Sequence, residues 1–177
     1  MAVQSAALTG VERTFEPDEV IVSKTDPTGR ITYANDIFIN ISGYTEEELL
    51  GQPHNILRHP DMPRCVFKFL WDRIADGHEV FAHVINKAKN GDHYWVFAHI
   101  TPCFDGSGKI AGYHSTRRVP TTAALEAIKP VYAQLRAVED RFPDRKAGMA
   151  ASLSTLVEMV TGAGVSDYDR FVLSISR

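Results

Sequence analysis

The sequence lacks the features that mark several large classes of protein. It has only two cysteines, Cys65 and Cys103, and no basic-then-apolar segment at its start, so a disulfide-rich secreted protein is not expected. No apolar run approaches the roughly 18 residues that a transmembrane helix requires. The net charge is -3 and Lys and Arg form no run, which argues against nucleic-acid binding. These absences predict a soluble cytoplasmic protein with reduced thiols and no direct membrane insertion.

Signatures of catalysis and of metal binding are missing as well. The seven histidines show no HxxxH spacing and the two cysteines form no CxxC motif, so a closed zinc site is not expected. Neither cysteine has a histidine at a spacing that signals an activated nucleophile, and no paired carboxylates stand out. We therefore expect neither an enzyme nor a metal site.

The chain divides by pattern into three parts. Its 177 residues, 44% of them hydrophobic, suffice for one buried core with an appendage. The start is small and polar without a sustained period, whereas strand and helix patterns alternate in the middle and only helical patterns follow Pro120. The sequence predicts an N-terminal arm at 1–17 that is loose or forms a short helix, one mixed domain at 18–119 and a helical C-terminal extension at 120–177.

The mixed domain carries five strand patterns around a helical middle. Strands are predicted at 20–25, 30–34, 80–89, 93–104 and 109–117, with turns between paired strands at 26–29, 90–91 and 105–108. Helices are predicted at 36–41, at 45–50 behind a Thr45–Glu48 capping box, and at 61–75 with Asp61 as N-cap. This order predicts an α+β fold in which a five-stranded antiparallel sheet carries helices on one face, with a ligand cleft between them.

The C-terminal extension contains three amphipathic stripes. Pro130 is expected to start or kink the first of them. The apolar faces need the sheet, each other or a second chain as a partner. The stripes are Leu125, Ile128, Val131, Tyr132, Leu135 and Val138, then Met149, Leu153, Leu156, Val157 and Val160, then Tyr168, Phe171, Val172 and Ile175.

The most informative segment is the turn at 58–63. It places Arg58, His59 and Asp61 between apolar and helical sequence, and Pro60 and Pro63 restrict its backbone. A cation, an imidazole and a carboxylate on one short turn usually serve a ligand. The alternative is an ordinary loop-to-helix cap, which does not need all three side chains.

Three ordered blocks carry a resemblance to a known family. They are TDPTGRITYAN at 25–35, SGYTEEELLG at 42–51 and NGDHYWV at 90–96. Together they resemble PAS sensory domains over about residues 18–119. The segment GQPHN at 51–55, which leads into the turn at 58–63, and the block at 89–96 are similar to the flavin-binding PAS domain of bacterial aerotaxis and energy-taxis receptors.

The resemblance implies a cytoplasmic sensor that binds FAD noncovalently and reports redox state or oxygen to a chemotaxis signalling module. Chemically, Arg58 can pair with a pyrophosphate, Trp71 can flank a flat ring, and the Asn86 amide can both donate and accept hydrogen bonds. The alternative for Asn86 is a solvent-facing place on its strand. The flavin cleft that the resemblance implies is lined by Asn35, Arg58, His59, Asp61, Trp71 and Asn86.

Two departures from flavin-type relatives are visible. Light-sensing relatives need a cysteine in the segment that is HNIL at 54–57 here, and Cys65 lies on the next helix, so blue-light adduct chemistry is disfavoured. Several flavin-type relatives have a tryptophan at the start of the third strand, where this chain has Val80 and Phe81. The second departure weakens the expectation of ring stacking at that strand.

The sequence is also compatible with other cofactors and partners. A haem-binding PAS gas sensor would use His59, His83, His99 or His114 as axial ligand, and a cofactor-free PAS dimerisation module is a further alternative. We expect a homodimer whose interface includes the N-terminal arm or the helix at 121–140, with Leu135 contributing. Receptor relatives continue into a membrane anchor or a coiled coil, and this sequence stops at Arg177, so a separate signalling partner or a longer parent chain is expected.

Overall fold

The computed structural model describes residues 6–164 and 167–176. Residues 1–5 of the predicted arm, and residues 165, 166 and 177 of the predicted extension, lie outside the described residues. The described part of the arm is not loose, because backbone hydrogen bonds join it to the turn at 90–91 and to the start of the strand that follows this turn. Thr9 N donates to Gly91 O at 3.1 Å, Arg13 N donates to His93 O at 2.7 Å, and His93 N donates to Val11 O at 2.9 Å.

The sheet is antiparallel throughout, with the strand order β2-β1-β5-β4-β3. The predicted hairpin turns are present, and Gly29 and Gly91 have φ of 82° and 96°, a region in which glycine alone is unstrained. The predicted α+β fold is confirmed. Its strands are β1 Ile21–Thr25, β2 Ile31–Ala34, β3 Val80–Lys87, β4 His93–Phe104 and β5 Ile110–Arg118.

The helices between β2 and β3 cover one face of the sheet. The Thr45–Glu48 capping box is present. The prediction that Asp61 caps the long helix is wrong, because that helix begins at Arg64 behind Pro63 and has no side-chain cap from its own turn. Proline disfavours the helical conformation of the residue before it, so the helix starts only after the second proline. The elements are α1 Asp36–Ser42, α2 Glu46–Leu49, a 3₁₀ turn His54–Leu57 and α3 Arg64–Ala75.

The extension forms α4 Thr122–Glu139, α5 Arg145–Gly162 and α6 Tyr168–Ile175. Helix α4 continues through Pro130, so the proline does not start it. None of the helices in the described ranges is long and apolar enough to cross a membrane.

Helices α4 and α6 cover the open edge of β3. The Tyr132 hydroxyl donates to His83 O at 2.5 Å, and Phe81 N donates to Asp169 Oδ1 at 3.0 Å. Unpaired edge groups invite pairing with another chain, and these contacts satisfy two of them. Leu135 is 0% exposed inside the chain's own core, so its expected contribution to a dimer interface is wrong.

Candidate functional site

A cavity of about 510 Å³ lies between the sheet and the helices above it. Its floor is the inner face of β1, β3, β4 and β5, and its walls are the turn before β2, the 3₁₀ turn and α3, with Met149 from α5. Small-molecule sites usually occupy about 300–1,000 Å³ and are mostly apolar with a few placed polar groups. The predicted cleft therefore has the size and position of a small-ligand site.

Three of the six predicted site residues line this cavity, namely Arg58, Trp71 and Asn86. Asn86 is only 4% exposed on β3, so a solvent-facing place for it is wrong. A backbone bridge joins Arg58 to Asn86, and the Arg58 guanidinium lies 4.8 Å from the centroid of the Phe67 ring. The turn at 58–63 thus starts at the cavity wall.

Trp71 closes the cavity against the turn between β1 and β2. Its ring is 5.6 Å from the ring of Tyr113 in an edge-on contact. A Cβ atom added to Gly29 would lie 2.6 Å from the Trp71 ring, so the ring packs directly on the glycine backbone. Because Trp71 is still 37% exposed, this contact lies at the rim of the cavity.

The other three predicted residues, Asn35, His59 and Asp61, lie outside the lining. The Asn35 amide caps α1 and bridges the backbone of the first strand, accepting from Val22 N at 2.9 Å and donating to Val20 O at 2.8 Å. The His59 ring is buried and its Nδ1 accepts from Asp61 N at 3.1 Å. The Asp61 side chain is 72% exposed. Their roles as cofactor-binding residues stay predictions, and any such role acts through the turn or the backbone.

Arg117 on β5 is a candidate functional residue that the sequence patterns did not indicate. It is 5% exposed and lines the cavity. Its Nη2 donates to Ser23 Oγ at 2.9 Å and to His54 Nε2 at 2.8 Å, while Nη1 has no hydrogen-bond partner among the described residues. Burial lowers the pKa of Arg117 to about 10, so the group is still a cation at neutral pH. The signal was the alternation of Tyr113, Ser115 and Arg117 on one face of β5.

His54 supports Arg117 as a neutral acceptor. Burial, followed by the charge of Arg117, lowers the pKa of His54 to about 3. Accepting at Nε2 assigns the ring proton to Nδ1. The Phe38 ring lies 5.9 Å from the His54 ring and 5.3 Å from the guanidinium. At this end of the cavity, Arg117 is therefore a buried cation that forms no ion pair with a carboxylate of the described residues.

Among the described residues, the histidines expected as haem ligands and the two cysteines lie outside the lining of the cavity. None of His59, His83, His99 and His114 lines it, and His54 is the one histidine among the described residues that does. Neither described cysteine lines it either. Cys65 is buried on α3, where Ser152 Oγ donates to its sulfur at 3.0 Å and burial raises its pKa to about 11. In the described ranges, no cluster of His, Cys, Asp and Glu could hold a metal ion.

Two histidines with a lowered pKa, His54 and His83, predict loss of stability in mild acid. Burial lowers the pKa of His83 to about 4, as it lowers that of His54 to about 3, both from 6.5. As the pH falls below 6.5, the unfolded chain takes up protons that the folded chain refuses, so folding weakens. Between pH 7 and pH 5 we expect the free energy of unfolding to fall by up to about 2 kcal/mol for each ring. Urea denaturation at both pH values measures this.

A matched pair of variants assigns that loss. His83→Gln should flatten the pH dependence, since it removes a fully buried ring, whereas His78→Gln changes an exposed residue and should leave the dependence as it is. Side-chain hydrogen bonds lower the pKa of the Asp26, Glu48, Asp92 and Asp105 carboxyls, so these groups contribute little to the change above pH 5. Equal unfolding free energies of the wild type at pH 7 and pH 5 would contradict the expectation.

The curated proteins that resemble this chain include a receptor and a regulatory protein. It is 46% identical over 120 residues to the aerotaxis receptor of Escherichia coli, covering 68% of this chain and 24% of the receptor. It is 31% identical over 103 residues to the nitrogen fixation regulatory protein of Klebsiella pneumoniae, covering 58% of this chain and 21% of that protein. The chain thus spans about a quarter or less of these relatives.

Solved structures that resemble it include light-oxygen-voltage domains. The light state of the domain from the blue-light photoreceptor Aureochrome1 has a TM-score of 0.55 at 19% identity, covering 67% of this chain and 91% of that chain. A light-oxygen-voltage domain solved with a flavin analogue has a TM-score of 0.56 at 21% identity, covering 65% and 86%. At these identities the likeness shows the fold. The family model of the PAS fold matches residues 31–117, and together with the five-stranded sheet and the relatives it shows that this part of the chain belongs to the PAS family.

Proposed function

We propose that the chain is a cytoplasmic redox or oxygen sensor that binds a flavin noncovalently, FAD in preference to FMN, and signals to a chemotaxis-type or other signalling partner. The observation that carries the proposal is Arg117, a buried cation that lines the cavity and whose Nη1 has no hydrogen-bond partner among the described residues. A buried unpaired charge costs several kcal/mol, so a ligand with an electron-rich polar edge is the partner that this cavity fits. The proposal also includes the division of the chain into an N-terminal arm at 1–17, a PAS domain at 18–119 and a C-terminal extension at 120–177.

The residues present fit a flavin. The amide of Asn86 and the guanidinium of Arg117 would meet the polar edges of the ring, and the apolar side chains Val84, Ala98, Ile100, Leu70 and Ile74 would flank its faces. Arg58 and Arg64 supply cations for phosphate groups. Three cations in the wall, counting Lys68, favour a dinucleotide with two phosphates over a mononucleotide.

When bound, a flavin supplies electron transfer, and its ring differs in charge and hydrogen bonding between the oxidised and reduced forms. The chain's residues can respond to that difference in two ways. The Asn86 amide can present its oxygen or its NH₂ group by rotating, and the charge of Arg117 favours the electron-rich form. A sensor shifts its conformational equilibrium only through such differential contacts.

The direct test is the absorption of the purified protein and the mass of the released cofactor. We expect a yellow protein that releases FAD on denaturation. A Soret band would favour the haem alternative, released FMN would overturn the preference for FAD, and a wild type that stays colourless after incubation with FAD, FMN and riboflavin would overturn the proposal. We propose no catalytic role for the chain.

We also propose that the chain forms a homodimer. Sedimentation at several concentrations, in both redox states, tests this proposal.

Asn86 provides a prediction that separates redox tuning from binding. Asn86→Ser should keep more flavin than Arg58→Ala but change the midpoint potential of the bound flavin by about 10–30 mV, since one neutral hydrogen bond contributes about 0.5–1.5 kcal/mol. Spectroelectrochemical titration measures the midpoint. Asn55→Ser, at another polar residue of the cavity wall, is the control and should leave the midpoint closer to that of the wild type. An unchanged midpoint in Asn86→Ser would contradict a place for Asn86 at the ring.

A further inference from the structure

The C-terminal extension contributes directly to the cavity. Met149 of α5 lines it, and Arg64 of α3 lines it while pairing with Glu139, the last residue of α4. Helix α5 also contacts α3, because the Ser152 hydroxyl on α5 donates a hydrogen bond to the sulfur of Cys65 on α3. Any ligand that redistributes charge beside Arg64 therefore acts on a residue that the extension also uses.

Glu139 is the centre of this contact. Its side chain is 0% exposed, and Oε1 accepts from Cys65 N at 2.9 Å. Helix α3 has no cap from its own sequence, so a carboxylate from α4 satisfies a free N–H of its first turn, where negative charge is also favourable. The Nε atom of Arg64 lies 3.1 Å from Oε2, but Oε2 has no aligned hydrogen bond. The hydrogen bond from Cys65 N to Oε1 is thus directional, whereas the ion pair between Arg64 and Oε2 depends on charge alone.

The surroundings of Glu139 carry an excess of positive charge. Burial lowers the pKa of Arg58, and the charges of Arg64, Arg136 and Arg145 lower it further, whereas Glu139 opposes them. Arg136 donates to Pro60 O and lies 3.5 Å from Asp140. The Asp140 carboxylate, which is 56% exposed, also lies 3.8 Å from Arg64. Glu139 is therefore the buried anion of a cationic cluster that continues into the cavity wall.

We propose that Glu139 is a positioning residue that couples the cavity to the extension, because it shares Arg64 with the phosphate of a bound nucleotide. When two anions share one cation, each of them interacts with that cation more weakly than it would alone. A phosphate-bearing ligand therefore loosens the hold of α4 and α5 on α3, and by reciprocity the docked extension weakens binding of that ligand. A ligand with the same ring but no phosphate leaves the contact unchanged. The inference rests on the proposed flavin site.

The test compares FAD with riboflavin, which lacks phosphate, on the full chain after cofactor exchange. In the wild type we expect FAD to speed hydrogen exchange in the last turn of α4 and in α5, and riboflavin to leave it unchanged. Glu139→Gln keeps an oxygen that can accept from Cys65 N but removes the charge. The variant should therefore bind FAD at least about fivefold more tightly than the wild type does, while its affinity for riboflavin stays within about twofold of the wild-type value. Asp140→Asn, an exposed carboxylate one residue on, should change the FAD-to-riboflavin ratio less.

A merely structural role for Glu139 would change both affinities together, and an unchanged FAD-to-riboflavin ratio would overturn the inference. Equal effects of FAD and riboflavin on exchange in the wild type would also overturn it, and that measurement needs no variant to fold. If the wild type binds neither ligand, the proposed function itself fails and the inference falls with it. Binding of both ligands without the phosphate-dependent difference leaves the flavin site standing and removes only the coupling.

Discussion

Replacing Arg58 by alanine should lower the affinity for FAD about 10- to 100-fold, since a charge-assisted hydrogen bond contributes about 1.5–3 kcal/mol. The guanidinium lies in the cavity wall against the Phe67 ring, which limits its freedom before a ligand arrives. It has no carboxylate partner of its own among the ion pairs of the described residues. Its charge is therefore available to a phosphate. Titrating the apoprotein with FAD measures the effect.

Two variants isolate the charge of Arg58 from its packing. Arg58→Met keeps much of the apolar stem but removes the guanidinium, and it should lose nearly as much affinity as Arg58→Ala. Lys68→Ala removes another cation of the wall, but Lys68 is 47% exposed and already paired with Asp72 at 2.6 Å, so the loss should be smaller. Wild-type affinity in Arg58→Met would show that the side chain acts by packing, which would contradict phosphate recognition.

Local patterns predicted the fold well. Period-two strands, glycine turns and the Thr45–Glu48 capping box each depend on residues close in sequence, and each is present. The start of α3 was misplaced because Asp61 satisfies the composition of an N-cap, whereas Pro63 determines where helical backbone can begin. A residue type that suits a cap is a weaker constraint than a proline that excludes a conformation.

The candidate site was predicted less completely than the fold. Arg58 stands in the turn at 58–63, Trp71 and Asn86 were predicted because the family resemblance implies them, and all three line the cavity. Arg117 was missed because an arginine near a strand end normally suggests solvent. Glu139 was missed for another reason, since its partner Cys65 is 74 residues away in sequence. Contacts at that separation depend on how the extension packs, and no local pattern reports it.

Arg117→Met should affect stability and ligand preference in opposite directions. Replacing a buried charge by an apolar side chain of similar volume is often neutral or stabilising by about 1–4 kcal/mol, and Arg117 has no carboxylate to offset its burial. His54 keeps a possible donor, because Ser23 Oγ lies 3.5 Å from its Nε2. We therefore expect the apoprotein to unfold at the same or a higher urea concentration than the wild type.

The same variant should bind the reduced flavin less well relative to the oxidised form. Losing one charge-assisted contact to the electron-rich ring changes that preference about 10- to 100-fold, which lowers the midpoint potential by about 30–60 mV at about 30 mV per tenfold. The matched control is Arg118→Met, because Arg118 is the exposed neighbour on the opposite face of β5 and should leave both measurements nearly unchanged. A structural arginine would give a less stable apoprotein with an unchanged midpoint. If Arg117 serves the ligand, the Arg117→Met apoprotein should be more stable than the wild type and its bound flavin should have a lower midpoint potential. The wild type is then less stable because it retains a buried charge that its function requires.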